Sequence, residues 1–151
     1  MLDIVATAEI KKINTRTEYH GEDEVRAMDV KLAMQGVPIE RLTSAIPEGE
    51  AMYYNGDMPR GQEVFPLKVR HKIKNVKCTL SADKKETDFK DCDVDKFQIT
   101  PQQNKLCNVV LTLNISGYAD RVLDRLTKWH EVHFTAKERQ GNLDLAVDNT
   151  A

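Results

Sequence analysis

The chain uses one pattern twice. Met28, Val30, Leu32, Met34 and Gly36 align without a gap on Val109, Leu111, Leu113, Ile115 and Gly117. With three extra residues after the second glycine, Ile39-Glu40-Arg41-Leu42-Thr43 aligns on Leu123-Asp124-Arg125-Leu126-Thr127. Apolar residues at every second position mark a half-buried strand, because successive side chains of a strand point to opposite faces. Each half is therefore expected to hold a strand, a glycine and a short helix, and the halves to share one core about a pseudo-twofold axis. The repeat constrains architecture and names no chemistry.

The rest of the chain reads as short strands between polar turns. Ile4, Ala6, Ala8 and Ile10 carry the period-two pattern, and residues 18–24 read as a polar turn around Gly21. Pro38 suits the first turn of a helix, and Ile39, Leu42 and Ile46 fall on one face of two turns that end before Pro47. Residues 47–63, with Gly49, Gly56, Pro59 and Gly61, read as loop. A strand is expected over 64–76, carried on by Cys78 and Leu80, then a charged turn over 81–90 and a strand over 94–100. Residues 101–104 read as a turn and 106–116 as the second repeat strand. A helix over 118–129 turns Leu123, Leu126 and Trp129 inward, and 131–137 is a last strand. The expected fold is α+β and mainly β: one antiparallel domain over 1–139, a sandwich or partly open barrel of six or seven strands with two short helices. Its pseudo-repeated halves span about 4–46 and 94–137, and 140–151 is expected to be a flexible tail.

Composition narrows the function classes. With 151 residues, 40% hydrophobic and 30% charged, the chain can bury a real core and is not expected to be disordered. A net charge of −2 means that any nucleic-acid contact needs a local basic patch. The longest apolar runs are far short of the roughly 20 residues of a membrane span, and Asp3 with no basic lead argues against a secretory signal. Cys78, Cys92 and Cys107 are odd in number and widely spaced, which fits buried hydrophobes in a reducing cytoplasm better than a disulfide framework or a zinc site.

One constellation stands out. Lys68, Arg70, Lys72 and Lys74 alternate along a strand with Leu67, Val69, His71 and Ile73, so the four cations share one face while the others face the core. Like charges about 7 Å apart along a strand can follow a phosphate backbone. The competing reading is a solvated or edge-protecting strand face, and no aromatic interleaves the cations for base stacking. His130 and His133 would lie on opposite faces of a strand, so they do not share a metal ion. The carboxylates at 22–24 and 88–95, Asp91, Asp93 and Asp95 among them, read as solvated charge. No phosphate-binding glycine loop or nucleophile elbow occurs. Met52, Tyr53, Tyr54 and Met58 would suit a protein contact if their loop is exposed.

Residues 80–138 resemble a family of small uncharacterised proteins of tailed phages and prophages. The resemblance rests on Lys90-Asp91-Cys92-Asp93-Val94-Asp95-Lys96-Phe97, Pro101-Gln102, Val109-Val110-Leu111-Thr112-Leu113, Arg125-Leu126 and Glu131-Val132-His133-Phe134-Thr135. Ile10-Lys11-Lys12-Ile13-Asn14, residues 18–23, Met28-Asp29-Val30-Lys31-Leu32 and Phe65-Pro66-Leu67 look like that family's opening and middle. The chain departs from it where Lys and Arg replace a tryptophan near the basic strand, and where Gln103-Asn104-Lys105 replaces paired glycines. The resemblance implies a phage-encoded protein of the bacterial cytoplasm, of a type often encoded near replication and recombination genes. It carries over no catalytic residue.

The expectation is a non-enzymatic accessory protein, without metal or cofactor, that binds nucleic acid or a nucleoprotein complex through Lys68, Arg70, Lys72 and Lys74. The alternative is a protein-binding inhibitor of a host enzyme or defence complex, using Met52, Tyr53, Tyr54 and Met58. No membrane contact is expected, and an unpaired edge strand would allow a homodimer.

Overall fold

The computed structural model describes residues 2–42, 67–69, 72–102 and 104–138. Within them, strands β1 (Asp3–His20), β2 (Asp23–Pro38), β3 (Leu67–Lys68), β4 (Ile73–Ala82), β5 (Lys85–Pro101), β6 (Leu106–Ser116) and β7 (Glu131–Glu138) run antiparallel. The order is β3-β5-β4-β7-β1-β2-β6, and β6 pairs back onto β5. Six strands thus close into a barrel, with β3 a two-residue addition on the edge of β5. One helix, α1 (Asp120–Lys128), and one 3-10 turn (Ile39–Leu42) complete the fold.

The two copies of the repeated strand are neighbours. Met28 lies opposite Ile115, Val30 opposite Leu113, Leu32 opposite Leu111 and Met34 opposite Val109. Each inward residue of one copy meets the other copy's run in reverse, which is what a twofold axis through the Lys31–Thr112 pair produces. The remaining pairings obey the same axis. Hairpin β1–β2 matches hairpin β5–β6, β1–β7 matches β5–β4, and β4 and β7 pair with each other. Each half is thus a hairpin, a helical turn and a strand.

Burial follows the alternation. On β6, Cys107, Val109, Leu111, Leu113 and Ile115 are buried while the residues between them face outward. Phe97, Phe134, Leu80 and Ile4 add the largest fully buried side chains from other strands, and Leu126 brings α1 onto the core. Register shifts on β1, β2, β4 and β5 add local twist, as closure of a small barrel requires.

Several expectations change. The polar segment 18–24 is strand to His20 and again from Asp23, with only Gly21-Glu22 in the turn. The charged segment 81–90 is likewise strand, apart from the turn at Asp83-Lys84, where both residues have positive φ. These two φ values match a type I′ hairpin turn, which suits the twist of the flanking strands. Polar side chains on the outer face of a barrel strand look like turn residues in sequence. The first expected helix is a single 3-10 turn within the described residues; Ile39 and Leu42 are buried as its spacing required, and Ile46 lies outside those residues. The strand expected over 64–76 is interrupted. Leu67 and Lys68 pair with Ile99 and Gln98, and β4 then begins at Ile73 on the same edge of β5.

Gly36, at the register shift between Met34 and Val37 in β2, and Gly117, just after β6, have φ of +66° and +74°, a conformation that costs other residues about 1–2 kcal/mol. No side chain crowds Gly36, so Gly36→Ala should cost stability through backbone strain alone, by that amount in urea unfolding. Leu113→Ala, which opens a cavity beside the axis, should cost roughly 2–5 kcal/mol. Equal midpoints for Gly36→Ala and the parent would show that the left-handed bend is not required.

Candidate functional site

The outward residues of β6 form the floor of a groove. A hollow of about 550 Å³ includes Asn108 and Val110, the next, of about 380 Å³, includes Val110, Thr112 and Asn114, and a third, of about 370 Å³, includes Asn114 and Ser116. Adjacent hollows share Val110 and Asn114, so they form one track along β6, roughly 27 Å long at a strand's rise per residue. The middle hollow sits over the twofold axis, at Lys31 and Thr112.

One wall comes from β1 and β2 and the other from β5. Lys12 and Lys31 stand on the first, and Asp91, Asp93, Asp95 and Lys96 on the second. Lys72 and Lys74, at the start of β4, line the third hollow. Lys68 lies opposite Gln98, which lines the middle hollow, so the strand register sets it beside the same track. Lys68, Lys72 and Lys74 are exposed and Val69 and Ile73 buried, the alternation expected from the sequence. Arg70, and Met52, Tyr53, Tyr54 and Met58, lie outside the described residues. Lys12, Lys31 and Lys96 escaped sequence reasoning because they come from three strands that only the barrel brings together.

The groove's arginine is already engaged. Arg16 donates from Nε to Asp29 Oδ2 at 3.0 Å and from Nη2 to Asp29 Oδ1 at 3.1 Å, a two-pronged bond, and from Nη1 to Glu18. Asn114 Nδ2 also donates to Asp29, at 2.8 Å, while Asn114 Oδ1 is buried without a hydrogen-bond partner among the described residues. Burial works to raise the Asp29 pKa, but the bonds from Arg16 and Asn114 outweigh it and hold the carboxyl below its usual value. Glu18 is pulled down to about 2, chiefly by Arg16 and then by Ser116. Arg16, bonded to both carboxylates, is held all the more firmly in its charged form. None of the lysines Lys12, Lys31, Lys72, Lys74 and Lys96 is in an ion pair among the described residues.

Ser116, Glu18 and His20 meet here but not in a hydrolytic order. Ser116 Oγ donates to Glu18, and His20 Nε2 contacts Glu18 at 3.3 Å. The carboxylate stands between serine and histidine, so it cannot orient the imidazole as a base for the hydroxyl. A carboxylate with a pKa of about 2 is also a poor base near neutral pH. His130 contacts Glu9 at 3.2 Å, and no group of three metal-binding side chains occurs among the described residues. Cys78, Cys92 and Cys107 are buried. Burial pushes the Cys107 thiol up to about 12, and the neighbouring Cys92 and burial raise Cys78, so neither is a ready nucleophile.

The depressed carboxylates make stability depend on acid. A group whose folded pKa lies below its unfolded value contributes stability that is complete above the unfolded value and lost as pH falls. For Glu18 that window runs from about 4.5 down to about 2. Urea unfolding should show stability falling across it, and Glu18→Gln should be less stable at pH 7 with a shallower acid loss. An acid loss as steep in Glu18→Gln as in the parent would show that the Arg16–Glu18 bond is not the source.

In comparison with known proteins, no family model matches the chain, and no curated protein or solved structure gives a significant match.

Proposed function

We propose that the protein is a non-enzymatic accessory protein that binds nucleic acid along the β6 groove, through phosphate contacts from lysines. The observation that carries this reading is the division of labour among the cations. Arg16 is taken up by Asp29 and Glu18, whereas Lys12, Lys31, Lys72, Lys74 and Lys96 stand exposed on one outer face with no ion pair among the described residues. A lysine is a mobile point charge suited to a phosphate, and release of condensed counterions supplies the affinity. Among the described residues the groove is lined by no Phe, Tyr or Trp, so the reading is backbone recognition with little sequence preference. The resemblance to phage and prophage proteins supports a phage-encoded product working in the bacterial cytoplasm.

Specific residues also favour a second reading. Asp91, Asp93 and Asp95 on the β5 wall, with Glu9 and Glu131 in the first hollow, leave the groove balanced: Lys11, Lys12, Arg16, Lys31, Lys72, Lys74 and Lys96 against Glu18, Asp29 and those five carboxylates. Walls of mixed sign suit a protein partner of complementary charge, such as a host enzyme that the protein inhibits.

Fluorescence anisotropy with labelled single- and double-stranded oligonucleotides across a salt series separates the two. Nucleic-acid binding predicts micromolar or tighter affinity at low salt that falls steeply with salt. Lys72→Glu with Lys74→Glu should weaken it and make the log–log salt slope shallower by about 0.7–0.9 for each phosphate that the variant no longer neutralises. Lys31→Glu with Lys96→Glu should do the same. Flat anisotropy at low salt, with a nuclease-resistant complex recovered from host lysate, would overturn this reading in favour of the second.

A further inference from the structure

The twofold relation between the halves exposes an element, β3, that has no counterpart among the described residues. On β5, the edge facing away from β6 is covered from Lys85 to Val94 and again from Phe97 to Ile99. β4 pairs with it as far as Val94; beyond that, Leu67 and Lys68 pair with Ile99 and Gln98, and Val69 N donates to Phe97 O at 2.8 Å. The counterpart edge on β1 is covered by β7 only from Asp3 to Glu9, with one further bond from Ile10 N to His130 O at 2.8 Å. From Lys12 to His20, β1 has β2 on one side and no strand on the other among the described residues.

The chain itself explains the asymmetry. In the first half, residues 43–72 separate the 3-10 turn from β4 and deliver β3 to the edge of β5. In the second half only Trp129 and His130 separate α1 from β7, so that connection supplies no counterpart of β3. The edge carries Lys12, Arg16 and Glu18, charges that deter an unmatched strand, but it is long and regular beyond the register shift at Ile10/Lys12. From Lys12 to His20 its register with β2 is unbroken, with no bulge and no proline. A long regular edge of this kind is a template for another strand.

We infer that β1 pairs edge to edge with β1 of a second copy of this chain, antiparallel about Thr15, to give a homodimer with a continuous sheet. Charge selects both the partner and the register. Pairing about Thr15 sets Lys12 opposite the second copy's Glu18, twice over, and Asn14 opposite Arg16. A shift of the centre to Asn14 sets Lys12 against Arg16, and a shift to Arg16 sets that residue against itself. Residues two apart on β1 share a face, so Lys12 and Glu18 project on the same outer side of the joined sheet. Glu18 already accepts bonds from Arg16 and Ser116 and contacts His20, and a carboxylate has room for about four partners. One position is thus left for the incoming lysine.

Sedimentation equilibrium tests the dimer and its register together, using the full chain, Lys12→Glu, Glu18→Lys and an equimolar mixture of the two variants. The parent should dimerise. Each variant alone should dimerise about tenfold more weakly, because each sets two like pairs across the axis. The mixture should recover much of the parent's affinity. In that heterodimer, pairing about Thr15 brings the two substituted positions together as an opposite-charge pair and leaves the two native residues, Lys12 and Glu18, as the other. If Glu18→Lys does not fold without its bond to Arg16, Lys12→Glu decides alone: its dimer should be weak at low salt and recover as salt screens the repulsion. A parent that stays monomeric at high concentration overturns the inference. So does a variant that dimerises as well as the parent, or a mixture no tighter than its components.

Discussion

The structure depends on one pairing, that of β2 with β6. Two strands of the same pattern, laid antiparallel about the Lys31–Thr112 pair, bury Met28, Val30, Leu32 and Met34 against Ile115, Leu113, Leu111 and Val109. A strand has two faces, so the same act that hides these residues presents Asp29, Lys31, Thr112 and Asn114 together outside. A slip of one residue would exchange the two sets, sending lysine inward and leucine outward, and this is why the register is so strongly specified. The core and the groove are therefore two consequences of one alignment.

Electrostatics inside the groove follow from what each cation can do. Arginine offers a planar fork that grips a carboxylate at two points, and Arg16 is held in that way by Asp29 while also reaching Glu18. The arrangement fixes the β1–β2 hairpin across the end of β6, through Glu18 and Ser116 as well as Asp29 and Asn114. Of the groove's lysines, Lys11 pairs with Glu9, whereas Lys12, Lys31, Lys72, Lys74 and Lys96 are exposed and in no ion pair among the described residues. The network that gives the groove its shape is thus distinct from the charges offered to a partner.

Much of the barrel was legible in the sequence wherever one face of a strand is wholly apolar. The repeat strands 28–34 and 109–115 align without a gap, and the exposure of Lys68, Lys72 and Lys74 against the burial of Val69 and Ile73 followed from alternation. Legibility failed where strands carry charge on both sides of a short turn. Residues 18–24 and 81–90 have the composition of loops, and only their hydrogen-bonded partners make them strands. The first helix shrank to a 3-10 turn within the described residues because its spacing told only that Ile39 and Leu42 are buried, a condition one tight turn also meets. The groove was invisible for a different reason. Lys12, Lys31 and Lys96 are far apart in the chain, and no local pattern links residues joined solely by barrel closure.

The most direct test is an NMR measurement of backbone proximity on isotopically labelled protein. Cross-strand NOEs between Lys31 and Thr112 and between Thr79 and Thr135 report the β2–β6 and β4–β7 seams, where the two halves meet. The closed barrel requires both sets of NOEs, with slow amide exchange on each seam. A Lys31–Thr112 NOE without the Thr79–Thr135 NOE would mean an open sheet, and absence of both would contradict the twofold barrel that forms the groove.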